Sequence, residues 1–247
     1  VRPAESRELV VVGRSARAVE ESARVGAEWV VGALREDVGG EVGAHHRRPN
    51  LRSHRGEDAS KGRGAVVGAA TFGGGLVGGD DIRLTADVEP GARALLTTQA
   101  STKVYRSLRP ASQSLSATVD AGGLLAVLPD PVVCFAGADF TQTQRYELRD
   151  DASLVFVDWM TSGRHGSGER WAFSRYESRL AISRDREPVL YDAFVLERDL
   201  DSIAERMARF EVLLTAVLTG PLVSSQAERI LQHAEQSPVV GNADMIL

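Results

Sequence analysis

Residues Phe72 to Ser107 read FGGGLVGGDDIRLTADVEPGARALLTTQASTKVYRS. Five glycines fall between Gly73 and Gly79, and Asp80 and Asp81 follow at once. Glycine-rich loops cradle phosphates when backbone N–H groups and a helix N-terminus point at the anion. A Walker-type loop also needs a lysine and a hydroxyl after the last glycine. Here two carboxylates stand in that place, and they repel a phosphate. No helix follows either. Ile82, Leu84, Ala86 and Val88 alternate with Arg83, Thr85 and Asp87, which is the period of a half-buried strand. The phosphate and dinucleotide readings fail together. The glycines read as a loop that needs positive φ or close backbone approach.

Downstream the same period persists. Glu89-Pro90-Gly91 is a turn, Ala94–Thr98 a second strand, and Leu115, Ala117 and Val119 alternate up to a stop at Asp120-Ala121-Gly122-Gly123. Further strand segments follow at 124–129, 132–135, 141–148, 153–160, 171–182 and 189–196. Turn signals separate them at hairpin-like intervals, which predicts antiparallel strands in stacked, sandwich-like sheets. Helices enter late: a short one over Asp199–Ala208, and another over 224–236 after a strand at 210–218 that ends at Gly220-Pro221. Ser224 or Ser225 is its expected N-cap, with Ala227, Ile230, Leu231 and Ala234 on one face. The fold class is mainly β with a few, mostly C-terminal, helices.

Upstream, composition changes near residue 65. Helical spacing of Val19, Ala23, Gly26, Val30 and Ala33 predicts a helix within 15–34. Residues 39–64 have almost nothing apolar to bury, which predicts disorder. The chain thus divides into an atypical, partly disordered segment, 1–64, and a β domain, 65–247.

Composition narrows the functional classes. The 247 residues are 43% apolar and carry a net charge of −5, which gives no global attraction to nucleic acid or an anionic membrane. The single cysteine, Cys134, allows neither an internal disulfide nor a Cys-based zinc site, and points to a reducing, cytoplasmic setting. It lies in an apolar run and reads as inert core. No apolar run approaches the ~20 residues of a membrane helix, and the N-terminal sequence has no signal-peptide pattern. Val1 in place of Met reads as a processed or incomplete product.

Four motifs in order, GGGLVGGD (73–80), EPGARALLTTQASTKVYRS (89–107), LPDPVVCFAGADF (128–140) and SGRHGSGERWAF (162–173), resemble the UreD family of urease accessory proteins, called UreH in some species. The resemblance runs from about Val66 to Leu222. It implies a mainly β scaffold that is not an enzyme and acts in the cytoplasm with UreF and the GTPase UreG. In that role it docks on apo-urease and helps nickel reach the urease active site. The implied cofactor state is nickel in transit, with none held tightly. The family also has strands before the glycine motif, which residues 1–64 do not resemble. It continues past Leu247 with a further strand and closing helix, so the β domain reads as incomplete at its C-terminus. An inactive remnant of the family is the corresponding alternative.

Carboxylates inside apolar strands are the candidate site. Asp158 shares a face with Leu154 and Phe156, and Asp192 with Leu190, Phe194 and Leu196. A buried carboxylate costs several kcal/mol unless it is paired or hydrated. One reading pairs Asp158 with Arg164, Arg170 or Arg179. The other places Asp80, Asp158, Glu169 and Asp192 along a wet passage for a divalent cation, which suits the nickel role the resemblance implies. Lys103, Tyr105 and Arg106, in a hydroxyl-rich stretch, and Arg164 read as a partner or passage motif, with turn hydrogen bonding as the alternative. Arg164-His165-Gly166 is similar to a phosphohistidine loop. A β-fold hydrolase or phosphatase using His165 with Asp158 or Glu169 is therefore the rival from another class. His45, His46 and His54 could hold a metal, but within a basic, apolar-poor segment they read as a solvated linker.

Overall fold

The computed structural model describes residues 9–13, 50–54, 64–70, 74–198 and 202–236. The strands are β1 (Leu9–Gly13), β2 (Asn50–His54), β3 (Gly64–Ala70), β4 (Asp81–Val88), β5 (Arg93–Thr98), β6 (Thr102–Val104) and β7 (Ala111–Val119). They continue with β8 (Leu124–Leu128), β9 (Val132–Cys134), β10 (Asp139–Leu148), β11 (Ser153–Thr161), β12 (Arg175–Arg184), β13 (Glu187–Glu197) and β14 (Val212–Thr219). The helices are α1 (Ile203–Arg206) and α2 (Ser224–Gln236).

Short corners decide how these strands pair. The turn after β4 does not fold β5 back beside it; it sends β5 into a second sheet. The corners β7–β8 and β10–β11 do the same. Like strands then stack in parallel: β4, β7, β10 and β12 in one sheet, and β3, β5, β8 and β11 in the other. The corners bond to one another. Asp120 N–H donates to Val88 O at 2.9 Å, Leu124 N–H to Ala92 O at 2.8 Å, Arg149 N–H to Val119 O at 2.9 Å and Ser153 N–H to Gly123 O at 2.8 Å. Gly91 and Gly122 hold φ of +68° and +67° there, the left-handed region that glycine enters without steric cost.

The expectation of antiparallel sheets is therefore corrected. Among the described residues antiparallel pairing is confined to β1–β14, β11–β14, β2–β3 and β12–β13. The turn residues and loop lengths suit an arch between two sheets as well as a hairpin within one, so local sequence does not separate the two. Two stacked sheets and a mainly β fold stand.

Four smaller expectations also change. The helix expected over Asp199–Ala208 is limited to Ile203–Arg206, with Ser202 Oγ accepting from Glu205 N–H at 3.4 Å. The strand expected from Trp171 starts at Arg175; Trp171 has φ +50° and donates its N–H to Ser162 O instead. Within the segment expected to be disordered, Asn50–His54 pairs antiparallel with Gly64–Ala70. Backbone hydrogen bonds to a sheet edge need no apolar composition. At the start of α2, the Ser224 hydroxyl donates to Pro221 O, and Ile230 is exposed although Ala227 is buried. The helix expected within 15–34, and His45 and His46, lie outside the described residues.

Packing between the sheets is divided. One apolar cluster sits near the corners and includes Val88, Leu115, Leu148, Phe156, Leu180 and Val217. A second lies at the other end, with Val104, Phe140, Met160, Trp171, Tyr176 and Leu213. Burial of each large apolar side chain contributes about 1.5–3 kcal/mol. Buried Gln142, Asp158, Ser178 and Thr215 lie in sequence between members of the two clusters on their own strands.

Candidate functional site: a polar layer in the core

Four strands place a polar side chain at the same level. On β11, Asp158 stands between Phe156 and Met160; on β14, Thr215 stands between Leu213 and Val217. On β12, Ser178 stands between Tyr176 and Leu180, and on β10, Gln142 follows Phe140. Strand alternation fixes the direction: each of these residues has the phase of its buried neighbours. Register then aligns them, with Asp158 opposite Thr215 and Gln142 opposite Ser178.

The layer is bonded across the two sheets. Gln142 Nε2 donates to Asp158 Oδ2 and lies 2.8 Å from Tyr176 Oη and 3.1 Å from Ser178 Oγ. An amide nitrogen has two hydrogens for these three acceptors. Asp158 is 9% exposed. Burial pushes its carboxyl up to about 6, opposed by the Gln142 hydrogen bond and the Trp159 backbone N–H. Burial, followed by the nearby Asp158 charge, also raises the Tyr146 and Tyr176 hydroxyls well above their ordinary range.

The ion-pair reading of Asp158 is corrected. Arg164 pairs with Glu169, Arg170 with Glu211, and Arg179 with Glu177. All three cations are engaged at other carboxylates, and Asp158 relies on neutral donors. Asp192 sits half-buried on β13, the edge strand, with Leu180 as its register partner beside Ser178. Asp158 and Asp192 thus belong to facing sheets at neighbouring levels.

Asp80 and Glu169 lie elsewhere. Asp80 Oδ2 accepts the Val77 N–H at 2.8 Å and closes the glycine loop. Glu169 accepts the Ala136 N–H at 3.1 Å and the Arg164 Nε–H at 3.0 Å, and Arg164 holds its carboxyl below the usual range. The carboxylates considered for His165 are therefore both engaged, one in the core and one with Arg164. The backbone of His165 lies in a 3-10 turn, His165–Ser167. Among the described residues no three His, Cys, Asp or Glu side chains cluster as a metal site.

The glycine stretch now has its explanation. Leu76 N–H donates to Lys103 O at 2.7 Å and Tyr105 N–H to Leu76 O at 2.8 Å, so the loop lies directly on residues 103–109. A Cβ on Gly75 would sit 2.5 Å from Lys103 O, and one on Gly78 the same distance from Arg109 O. Tyr105 packs edge-on against Phe135 with centroids 4.8 Å apart, and the Arg164 guanidinium lies 4.3 Å over the Phe135 ring. The Arg106 stem passes over Gly137. Tyr105, Arg106 and Arg164 are thereby brought together around Phe135 and Gly137, with Lys103 exposed beside them.

Sequence reasoning missed Gln142, Tyr176, Ser178 and Thr215. The available signal was a polar residue in the inward phase of three strands, β10, β12 and β14; what it lacked was the register that sets Gln142, Ser178 and Thr215 level with Asp158.

Two sheets wound as a parallel coil, with a polar layer through an apolar interior and a glycine-backed loop platform at one end, define the class of β protein. The particular family follows from comparison. The chain belongs to the UreD urease accessory protein family, whose profile matches residues 44–245. It is 52% identical over 185 residues to urease accessory protein UreD of Sorangium cellulosum, covering 75% of this chain and 59% of that one. With the UreD of Anaeromyxobacter sp. it is 46% identical over 188 residues, 75% and 63% of the two chains. With urease accessory protein D of Arabidopsis thaliana it is 38% identical over 169 residues, 67% and 58%. The chain spans about three fifths of the length of these curated relatives. No helix among the described residues is long and apolar enough to cross a membrane.

Proposed function

We propose that this chain serves urease maturation in the cytoplasm as a non-catalytic component, acting with UreF-like and UreG-like proteins on apo-urease, and that nickel passes along its interior polar layer. Family membership supports the maturation role. The observation that carries the nickel reading is Asp158: a carboxylate in the core, bonded to Gln142 with its three candidate arginines paired elsewhere. An anionic oxygen without a neighbouring fixed cation attracts a passing divalent ion. The Tyr176 and Ser178 hydroxyl oxygens, gathered with Asp158 around the Gln142 Nε2, offer hard or borderline ligands weak enough to release it. Asp192, at the edge of the facing sheet, would serve the approach.

The test pairs two measurements on Asp158→Leu and Asp192→Leu. Leucine keeps approximate size and removes the oxygen ligands. Pull-down of the partners should be unchanged, and the nickel content of urease after activation should fall by at least about tenfold, the scale at which loss of an ion-binding group is felt. Normal assembly with normal loading would remove both carboxylates from the mechanism.

A further inference from the structure

The end of the coil that carries the glycine loop exposes a group of side chains that the interior route does not use. Leu108 is fully exposed at 106% and Val77 is 44% exposed. Lys103 on β6, and Arg106 and Arg109 on the loop that follows it, are exposed beside them. The loops are one body: Gly79 N–H donates to Pro110 O at 2.9 Å, and the Arg109 guanidinium lies against Gly79. The carboxylates nearby are committed to other groups. Asp80 holds the Val77 N–H, Asp81 pairs with Arg83 and Ser112, and Glu169 pairs with Arg164. Residues 74–80 and 103–109 thus carry three cations against one carboxylate, Asp80, in a chain whose net charge is −5.

We propose that this platform, residues 74–80 with 103–109, is a docking surface for a partner protein that presents an apolar pocket rimmed by carboxylates. Leu108 would fill the pocket, Val77 would border it, and Lys103, Arg106 and Arg109 would face the rim. An apolar anchor ringed by charges is the usual anatomy of a strong contact, with the anchor setting affinity and the rim setting encounter rate and specificity. The backbone bonds under the loops hold them ready, so little ordering cost opposes binding. Nucleic acid fits less well: Tyr105, half-buried, is the one aromatic residue in 74–80 and 103–109, so successive bases would find no series of rings to stack on. Two apolar side chains are also too few to anchor a loop in a membrane.

The proposal rests on the maturation reading for its choice of probes. The whole chain would be titrated with apo-urease, the UreF-like protein and the UreG-like protein of the same organism, at about 50 and about 300 mM salt. The variants are Leu108→Asp and the pair Arg106→Glu with Arg109→Glu. Both should lower affinity for the same one of the three partners by at least about tenfold. Binding of the other two should stay within about twofold, which also shows that the fold is intact, and the wild-type interaction should weaken with salt. Unchanged binding of all three by both variants would overturn the docking surface and leave the maturation role standing. Loss confined to the arginine pair, with equal wild-type affinity for a short RNA or for phosphatidylserine vesicles, would overturn it in favour of unspecific charge attraction. If the wild-type chain binds none of the three, the maturation reading fails and the docking proposal fails with it.

Discussion

Replacing Asp158 by Asn tests whether the core carries a carboxylate that burial disfavours. The side chain keeps its shape and can still accept from Gln142, while its charge is gone. Burial raises the Asp158 carboxyl from 3.8 to about 6. At about 1.36 kcal/mol per pH unit, that is a cost of about 3 kcal/mol to the folded state once Asp158 is ionised. The sign follows from proton binding. Between these two values the folded chain holds a proton that the unfolded chain has lost, so stability falls as pH climbs through this range. Below about 4 the cost is absent, and above about 6 it is complete. Asp158→Asn removes this dependence. Whatever constant penalty its new N–H groups incur, roughly 1–3 kcal/mol, is the same at every pH. The stability of wild type minus that of Asp158→Asn should therefore drop by about 2 kcal/mol from pH 4.5 to pH 7.5. With a urea slope of about 2 kcal/mol per molar, the gap between the two midpoints moves by roughly 1 M. Urea unfolding followed by tryptophan fluorescence at four or five pH values measures it. A difference that stays flat, or that grows in favour of wild type as pH rises, would refute the claim that Asp158 lacks a compensating cation.

Other expectations concern the glycines and the lone thiol. Gly220 has φ +99°, and a Cβ there would run into Ala152 and Ser153, so Gly220→Ala should lower the urea-unfolding free energy by about 2–4 kcal/mol; a loss below about 0.5 kcal/mol would show that this junction can relax. Gly75→Ala has less effect on the core, but it should push residues 103–105 outward and abolish the partner contact assigned to the platform, with binding titration as the readout. Cys134 is 1% exposed, and its thiol is pushed well above its ordinary value by burial and then by Asp139. It should resist an aromatic disulfide reagent at pH 8 until denaturant is added, and labelling of the folded chain within minutes would mean that the far core cluster opens.

The strands are legible in the chain before folding, because their period of two is written into neighbouring residues such as Ile82 to Val88 and Leu154 to Met160. The sequence also marked Asp158 as inward-facing, since a carboxylate in phase with Leu154 and Phe156 has nowhere else to point. It excluded a phosphate loop at Gly73–Gly79 from the two aspartates that follow. The tertiary structure alone decided which strand lies beside which. An arch and a hairpin use the same turn residues, and only the hydrogen bonds between stacked corners, as from Leu124 to Ala92, favour the parallel coil. That register in turn assembled the polar layer. Gln142, Asp158, Ser178 and Thr215 are ordinary strand residues one at a time, spread over more than seventy positions of the chain, and become one site through pairings that no local pattern encodes. The arginines make the same point: charge attraction is long-ranged and unspecific in sequence, and geometry assigned Arg164, Arg170 and Arg179 to glutamates and left the buried aspartate to an amide.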